Sequence, residues 1–190
     1  MAKVALVTGA SRGIGRATAE AFARAGYQVA ANYCRSKEQI EQFSAQMERE
    51  GCAVIPVQAD VSDPEQVEWM VQAVQRQFGH IDVLVCNAGI AAQRLFTDIT
   101  PEEWERMMAV LVGGAYHCIR HLLPDMVRAK AGKIILVSSM WGQVGASCEV
   151  HYSTAKAALI GMTKALAKEV GPSHIQVNCV APGAIDTDMN

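Results

Sequence analysis

Tyr152 and Lys156 stand four apart in the stretch Tyr-Ser-Thr-Ala-Lys, so on a helix predicted over 151–170 they share one face. Ser139 ends the strand-like run KIILVSS (133–139). The C-terminal end of such a strand is where ligands of open α/β sheets bind. These three groups suit the reduction of a ketone, which adds hydride to carbon and a proton to oxygen. A serine hydroxyl can hydrogen-bond the carbonyl, and a tyrosine can donate the proton. A phenol with a pKa near 10 is poorly matched to neutral pH, and lowering it by about three units takes about 4 kcal/mol of preferential stabilisation of phenolate. A neighbouring ammonium supplies part of this, helped by the positive nicotinamide of an oxidised cofactor. Taken alone, a Tyr/Lys pair at this spacing usually marks a helix surface.

A second constellation gives the pair its weight. Thr8-Gly9-Ala10-Ser11-Arg12-Gly13-Ile14-Gly15 joins the first strand to the first helix. Gly9 permits a tight turn, Gly13 admits backbone to a pyrophosphate, and Gly15 lets helix approach sheet. The helix N-terminus adds free N–H groups and partial positive charge for phosphate. A glycine-spaced loop by itself is often just a turn; between the first strand and first helix of an alternating chain it predicts a dinucleotide site. An NAD site wants an acid roughly 20 residues further on. Here Ala31-Asn32-Tyr33-Cys34-Arg35-Ser36 has none. Arg35 and Arg12 match a 2′-phosphate instead, which points to NADP(H), against the plainer reading of two solvated surface arginines.

Strand-like and helix-like segments alternate throughout. Strands are predicted at 4–8, 27–33, 53–59, 81–87, 133–139 and 175–181. Between them, Ile14, Ala17, Thr18, Ala21, Phe22 and Ala25 mark a helical stripe ended by Gly26, followed by helices at 36–50, from Asp63-Pro64 to Gly79, over 101–129 and over 151–170. The strands read as nearly continuous apolar runs, as when helices cover both faces of a parallel sheet. The expected fold is α/β, a doubly wound parallel sheet of Rossmann type in the order 3-2-1-4-5-6. Residues 1–190 are expected to form a single dinucleotide-binding domain that also carries the catalytic site.

Composition narrows the function classes. Hydrophobic residues make up 51 % of the chain, enough for a sizeable core, and a formal charge of −2 gives no basic stripe for nucleic acid. No run approaches the ~20 apolar residues of a membrane span, and the N-terminal apolar run is too short for a secretion signal. A soluble protein follows. The six cysteines lie far apart, mostly in apolar stretches, as reduced residues of a cytoplasmic protein do. His117 and His121 lack the glutamate of a zinc HExxH motif and read as helix-surface residues. Gly113-Gly114 inside a helix suggests tight packing, while Met140 and Trp141 suit either an apolar pocket or the core.

On TGASRGIG (8–15), CNAG (86–89), the Ser139…YSTAK (152–156) set and APGAIDTDM (181–189), the chain resembles the short-chain dehydrogenase/reductase family over its entire length. Within it, the nearest likeness is to bacterial reductases of 3-oxoacyl-[acyl-carrier-protein]. The resemblance implies Ser139, Tyr152 and Lys156 as catalytic, with Tyr152 and Lys156 also on the cofactor. It implies a cofactor cradle of Gly9, Ser11, Arg12, Gly13, Ile14, Gly15 and Arg35, with Asp60 and neighbouring Val61 at the adenine. Asn87, Ala88 and Gly89 would line the cofactor, and Pro182, Gly183, Ile185 and Thr187 its nicotinamide end; no metal is implied. The implied partners are a small carbonyl or acyl-thioester substrate, acyl carrier protein, and a second or further copies in a homodimer or homotetramer, formed through the helices at 101–129 and 151–170.

The chain departs from the family pattern in two places. Members usually carry a fourth catalytic residue, an asparagine, whose position falls on Leu111; that asparagine holds a water that refills the tyrosine's proton through the lysine. Relatives also continue into a last helix and a seventh strand, before which the sequence ends at Asn190.

Overall fold

The computed structural model describes residues 2–186. Six parallel strands, β1 (Val4–Val7), β2 (Gln28–Tyr33), β3 (Val54–Gln58), β4 (Val83–Cys86), β5 (Gly132–Val137) and β6 (Ile175–Val180), form one sheet in the order β3-β2-β1-β4-β5-β6. This is the expected order, with the switch of direction at β1, between β2 (Val4↔Gln28) and β4 (Ala5↔Val83). The strands are shorter than the apolar runs suggested, because residues such as Thr8 and Ser138–Ser139 have already left the ladder at its C-terminal edge.

Successive residues of a strand face opposite sides, and here both sides are covered. Val4, Leu6, Leu84, Ile134 and Leu136 join one core with α3 (Pro64–Phe78), α5 (Gly114–Ala129) and α7 (Val150–Val170). Ala5, Val7, Val29 and Val85 join another with Ile40, Phe43 and Met47 of α2 (Lys37–Arg49) and Ala19 and Ala23 of α1 (Gly13–Arg24). Fully burying a side chain of this size stabilises the fold by about 1.5–3 kcal/mol. β6 departs from the continuous pattern: Ile175 and Val177 are buried, whereas Gln176, Asn178 and Val180 are exposed.

Two helices differ from expectation. In α1 the face against the sheet is Gly15, Ala19 and Ala23. The larger stripe, Ile14, Ala17, Thr18, Ala21, Phe22 and Ala25, lines an outer groove of about 770 Å³. Small side chains let the helix axis lie close to the sheet, so the bulkier ones turn outward. The long helix at 101–129 is divided into α4 (Pro101–Met108), a π turn over Ala109–Gly113, and α5. α4 starts at a capping box between Thr100 and Glu103, and α3 at Asp63, which accepts from the Glu65 and Gln66 amides. A short α6 (Trp141–Val144) follows β5.

Candidate active site

The glycine loop is held from beneath by buried polar groups. Gly9 has φ +63°, and a Cβ there would stand 2.7 Å from Ala88 Cα; one on Gly15 would stand 2.2 Å from the Gly9 carbonyl oxygen. Neither position admits a side chain. Thr8 Oγ1 accepts from the amides of Asn87 and Ala88 at 2.9 and 3.0 Å, and Asn87 Nδ2 donates to the carbonyls of Thr8 and Gly9. The Asn87 amide group therefore braces the loop. Asn32, 1 % exposed on β2, is the other anchor: its Oδ1 accepts from Gly9 N at 3.2 Å, while its Nδ2 donates to the carbonyls of Val57 and Ala59. Asn32 was passed over in the sequence, where its one sign was a polar residue inside an apolar strand.

Above this floor the first turn of α1 has no side-chain cap and no acidic residue, so its amides and positive end remain available to an anion. Ser11 is half-buried beside it, and Arg12 is its N-cap residue. Arg12 and Arg35 are both exposed, and neither is in an ion pair among the described residues. Val61 is buried against α5, where a Cβ on Gly114 would come within 2.6 Å of its Cγ2. That contact explains Gly114; Gly113 meets nothing closer than 3.7 Å. Asp60 lies just past β3, bonded to Ser62 and to Arg106 of α4. Partial burial pushes its carboxyl up, but those hydrogen bonds outweigh it and hold it below the ordinary range.

Across the switch point, β5 and α7 bring Ser139, Tyr152 and Lys156 together. Ser139 is buried, and its Oγ accepts from the Trp141 amide at 3.2 Å. Lys156 is 5 % exposed; its Nζ donates to the Val137 carbonyl at 2.8 Å and lies 5.5 Å from the centre of the Tyr152 ring. Burial pushes the ammonium down to about 8, with the Cys179 thiol opposing. The Tyr152 phenol is raised by burial, opposed by hydrogen bonding with Ser139 and reinforced by the Glu149 charge. Tyr152 is thus a protonated donor at neutral pH. Ser138 Oγ donates to the Lys156 carbonyl at 2.7 Å, and Gly142 lets α6 close on α7, since a Cβ there would lie 2.7 Å from Lys156 C.

The remaining expected residues fall around this centre. A Cβ on Gly89 would sit 3.0 Å from Leu111 Cδ2 and 3.9 Å from Lys156 Nζ. Leu111, 2 % exposed in the π turn, packs with Met107 and Ala155 and against the half-buried Tyr152. The Pro182 carbonyl accepts from Met140 N at 2.9 Å, and a Cβ on Gly183 would stand 3.6 Å from the Met140 sulfur. Ile185 borders the outer groove beside Gly13 and Ile14, and Thr187 lies outside the described residues. His151 went unnoticed in the sequence: it is 0 % exposed, and neither ring nitrogen has a hydrogen-bond partner among the described residues. His117 and His121 join no group of three metal-ligating side chains among the described residues. Among those residues, too, no helix is long and apolar enough to cross a membrane.

Known proteins share this arrangement. Residues 3–190 match the family described as short chain dehydrogenase. The 3-oxoacyl-[acyl-carrier-protein] reductase FabG of Staphylococcus aureus (strain Mu50) is 43 % identical over 189 residues, spanning 100 % of this chain and 77 % of the relative. The 3-oxoacyl-[acyl-carrier-protein] reductase of a Synechocystis species is 40 % identical over 99 % of this chain and 76 % of its own length. Among solved structures, a dehydrogenase/reductase from Sinorhizobium meliloti superposes with a TM-score of 0.93 at 35 % identity, over 100 % of this chain and 75 % of its own. A gluconate 5-dehydrogenase from Burkholderia cenocepacia, in complex with NADP and tartrate, gives 0.93 at 29 % identity, over 99 % and 73 %. With sequence and backbone agreeing over nearly its whole length, the chain belongs to the short-chain dehydrogenase/reductase family, oxidoreductases that interconvert carbonyl and alcohol.

Proposed function

We propose that the chain reduces a ketone, in the first instance a 3-oxoacyl thioester, to the secondary alcohol with NADPH. The observation that carries this reading is the convergence of Ser139, Tyr152 and Lys156 at the strand ends beside a glycine loop. The loop fits the cofactor: side chains are excluded at Gly9 and Gly15, the α1 N-terminus is uncapped, and Arg12 and Arg35 have no ion-pair partner among the described residues for a 2′-phosphate to displace. A reduced nicotinamide dinucleotide supplies the hydride. Ser139 then orients the substrate carbonyl, and Tyr152, protonated at neutral pH, gives its proton to the carbonyl oxygen. Lys156, with one of its three donors committed to Val137, has two left for the cofactor's ribose and for stabilising the phenolate.

Likeness to two 3-oxoacyl-[acyl-carrier-protein] reductases at 40–43 % identity favours a thioester delivered on acyl carrier protein. The gluconate 5-dehydrogenase, at 29 %, favours a sugar or small alcohol as the second reading. On the first, the chain works in the cytoplasm as a homodimer or homotetramer. The test is NADPH oxidation with an acetoacetyl thioester, followed by absorbance, with NADH and gluconate/NADP in parallel and Tyr152→Phe as the control. Turnover that prefers NADPH and falls at least about 100-fold in Tyr152→Phe is expected. Turnover of the sugar acid alone would favour the second reading. Cofactor binding without turnover of either substrate would indicate an impaired homologue that works by binding.

A further inference from the structure

We infer that Arg106 is a positioning residue for the adenine end of the dinucleotide, holding the Asp60 carboxylate as a fixed acceptor for the adenine 6-amino group. This rests on the reading of Asp60 as the adenine contact. Ser139, Tyr152 and Lys156 occupy the β5 side of the switch point, which leaves the ends of β2 and β3 for the other half of the cofactor. Two carboxylates follow β3 closely. Asp63 is engaged in capping α3, accepting from Glu65 N, Gln66 N and Gln66 Nε2. By lone-pair count each keeps one acceptor position, on Oδ2, but Asp60 caps no helix and stands nearer the strand end, two residues past Gln58.

Its surroundings form a closed ring. Asp60 Oδ1 accepts from Ser62 N at 3.0 Å and from Ser62 Oγ at 2.6 Å. Arg106 Nη2 donates to Asp60 Oδ2 at 2.9 Å, while Arg106 Nη1 donates to Ser62 Oγ at 2.6 Å. An ionised carboxylate offers about four lone-pair sites; among the described residues three are filled, and the fourth is on Oδ2. One arm of the guanidinium holds Asp60 Oδ2 and the other Ser62 Oγ, which itself donates to Oδ1, so both carboxylate oxygens are restrained, one directly and one through the serine. The open site therefore has a set direction and suits one N–H donor. Arg106 reaches across from α4, 46 positions along the chain, so the arrangement is not a local turn motif. Removing it leaves Oδ2 unheld and Asp60 tethered only through Oδ1 to Ser62, so the open acceptor loses its set direction.

The experiment compares dissociation constants of NADPH and its deamino analogue, which carries a carbonyl in place of the 6-amino group, by cofactor fluorescence in the wild type, Arg106→Ala and Arg106→Lys. Wild type is expected to bind the analogue roughly tenfold more weakly, the loss of one hydrogen bond to a charged group. In Arg106→Ala, NADPH should weaken and the discrimination between the two cofactors shrink to about twofold or less, with partial recovery in Arg106→Lys. A clamp that merely holds α4 to the loop would weaken both cofactors equally and keep the ratio. Full discrimination retained in Arg106→Ala would overturn the role of Arg106 and leave Asp60 as the contact. No discrimination in the wild type would overturn both. Arg106→Lys, which keeps the charge, carries the test if the alanine variant does not fold.

Discussion

Lys156 should make the chain less stable than it would be without it. Burial lowers its ammonium from 10.5 to about 8, and at about 1.4 kcal/mol for each tenfold this amounts to about 3 kcal/mol. Below pH 8 the lysine is protonated both folded and unfolded, and the whole cost of burying the charge is present. As pH rises from 8 towards 10.5 the folded chain gives up the proton first, so stability rises with pH and the cost vanishes. Lys156→Met removes the charge and also the bond to the Val137 carbonyl, a loss of about 1 kcal/mol. The net gain at pH 7 is about 2 kcal/mol, or roughly 4–8 °C in Tm for a chain of this size. Thermal and urea unfolding followed by circular dichroism, at pH 7 and pH 10, measures it against wild type. The variant should lead at pH 7, lose that lead at pH 10, and have no reductase activity. A variant less stable than wild type at pH 7, or a gap equal at both pH values, would refute the argument.

Two further substitutions probe the interior beside the site. Leu111→Asn places an amide where Leu111 is 2 % exposed among Met107 and Ala155, costing about 1–3 kcal/mol in urea unfolding; turnover should nonetheless rise, and unchanged kcat would show that the missing asparagine does not limit this chain. His151→Leu removes two buried ring nitrogens without partners and should stabilise the chain by about 1–2 kcal/mol. A loss of stability there would mean that the imidazole holds an ordered water.

The sheet order was legible because buried parallel strands announce themselves as apolar runs, and the glycine loop and the Tyr152/Lys156 pair because each is a local spacing. The face of α1 was not. In a helix whose inner face is Gly15, Ala19 and Ala23, hydrophobic periodicity points to the wrong side, since close approach selects for small residues over apolar bulk. The π turn was hidden because nothing in Ala109–Gly113 breaks a helix outright. The Arg106–Asp60 bond joins residues that no window compares, and His151 gives no sign in the sequence that it will be buried unpaired.

The π turn has a consequence for how this stretch tolerates insertion and deletion. A π turn closes its hydrogen bond one residue later than an α turn, so Ala109–Gly113 acts as a one-residue insertion in an otherwise continuous helix. Each residue of an α-helix advances the face by about 100°. An extra residue taken up as a bulge leaves the flanking helices in the phase they would have without it. Deleting one position here would restore regular α-helix and keep α5 on α3 and α4 on α7. A change of length inside α4 or α5 has no bulge to absorb it and would turn the residues beyond it by that angle, carrying Arg106 off Asp60 or Met107 out of its cluster with Ala155. The π turn is therefore where the two half-helices tolerate loss of a residue.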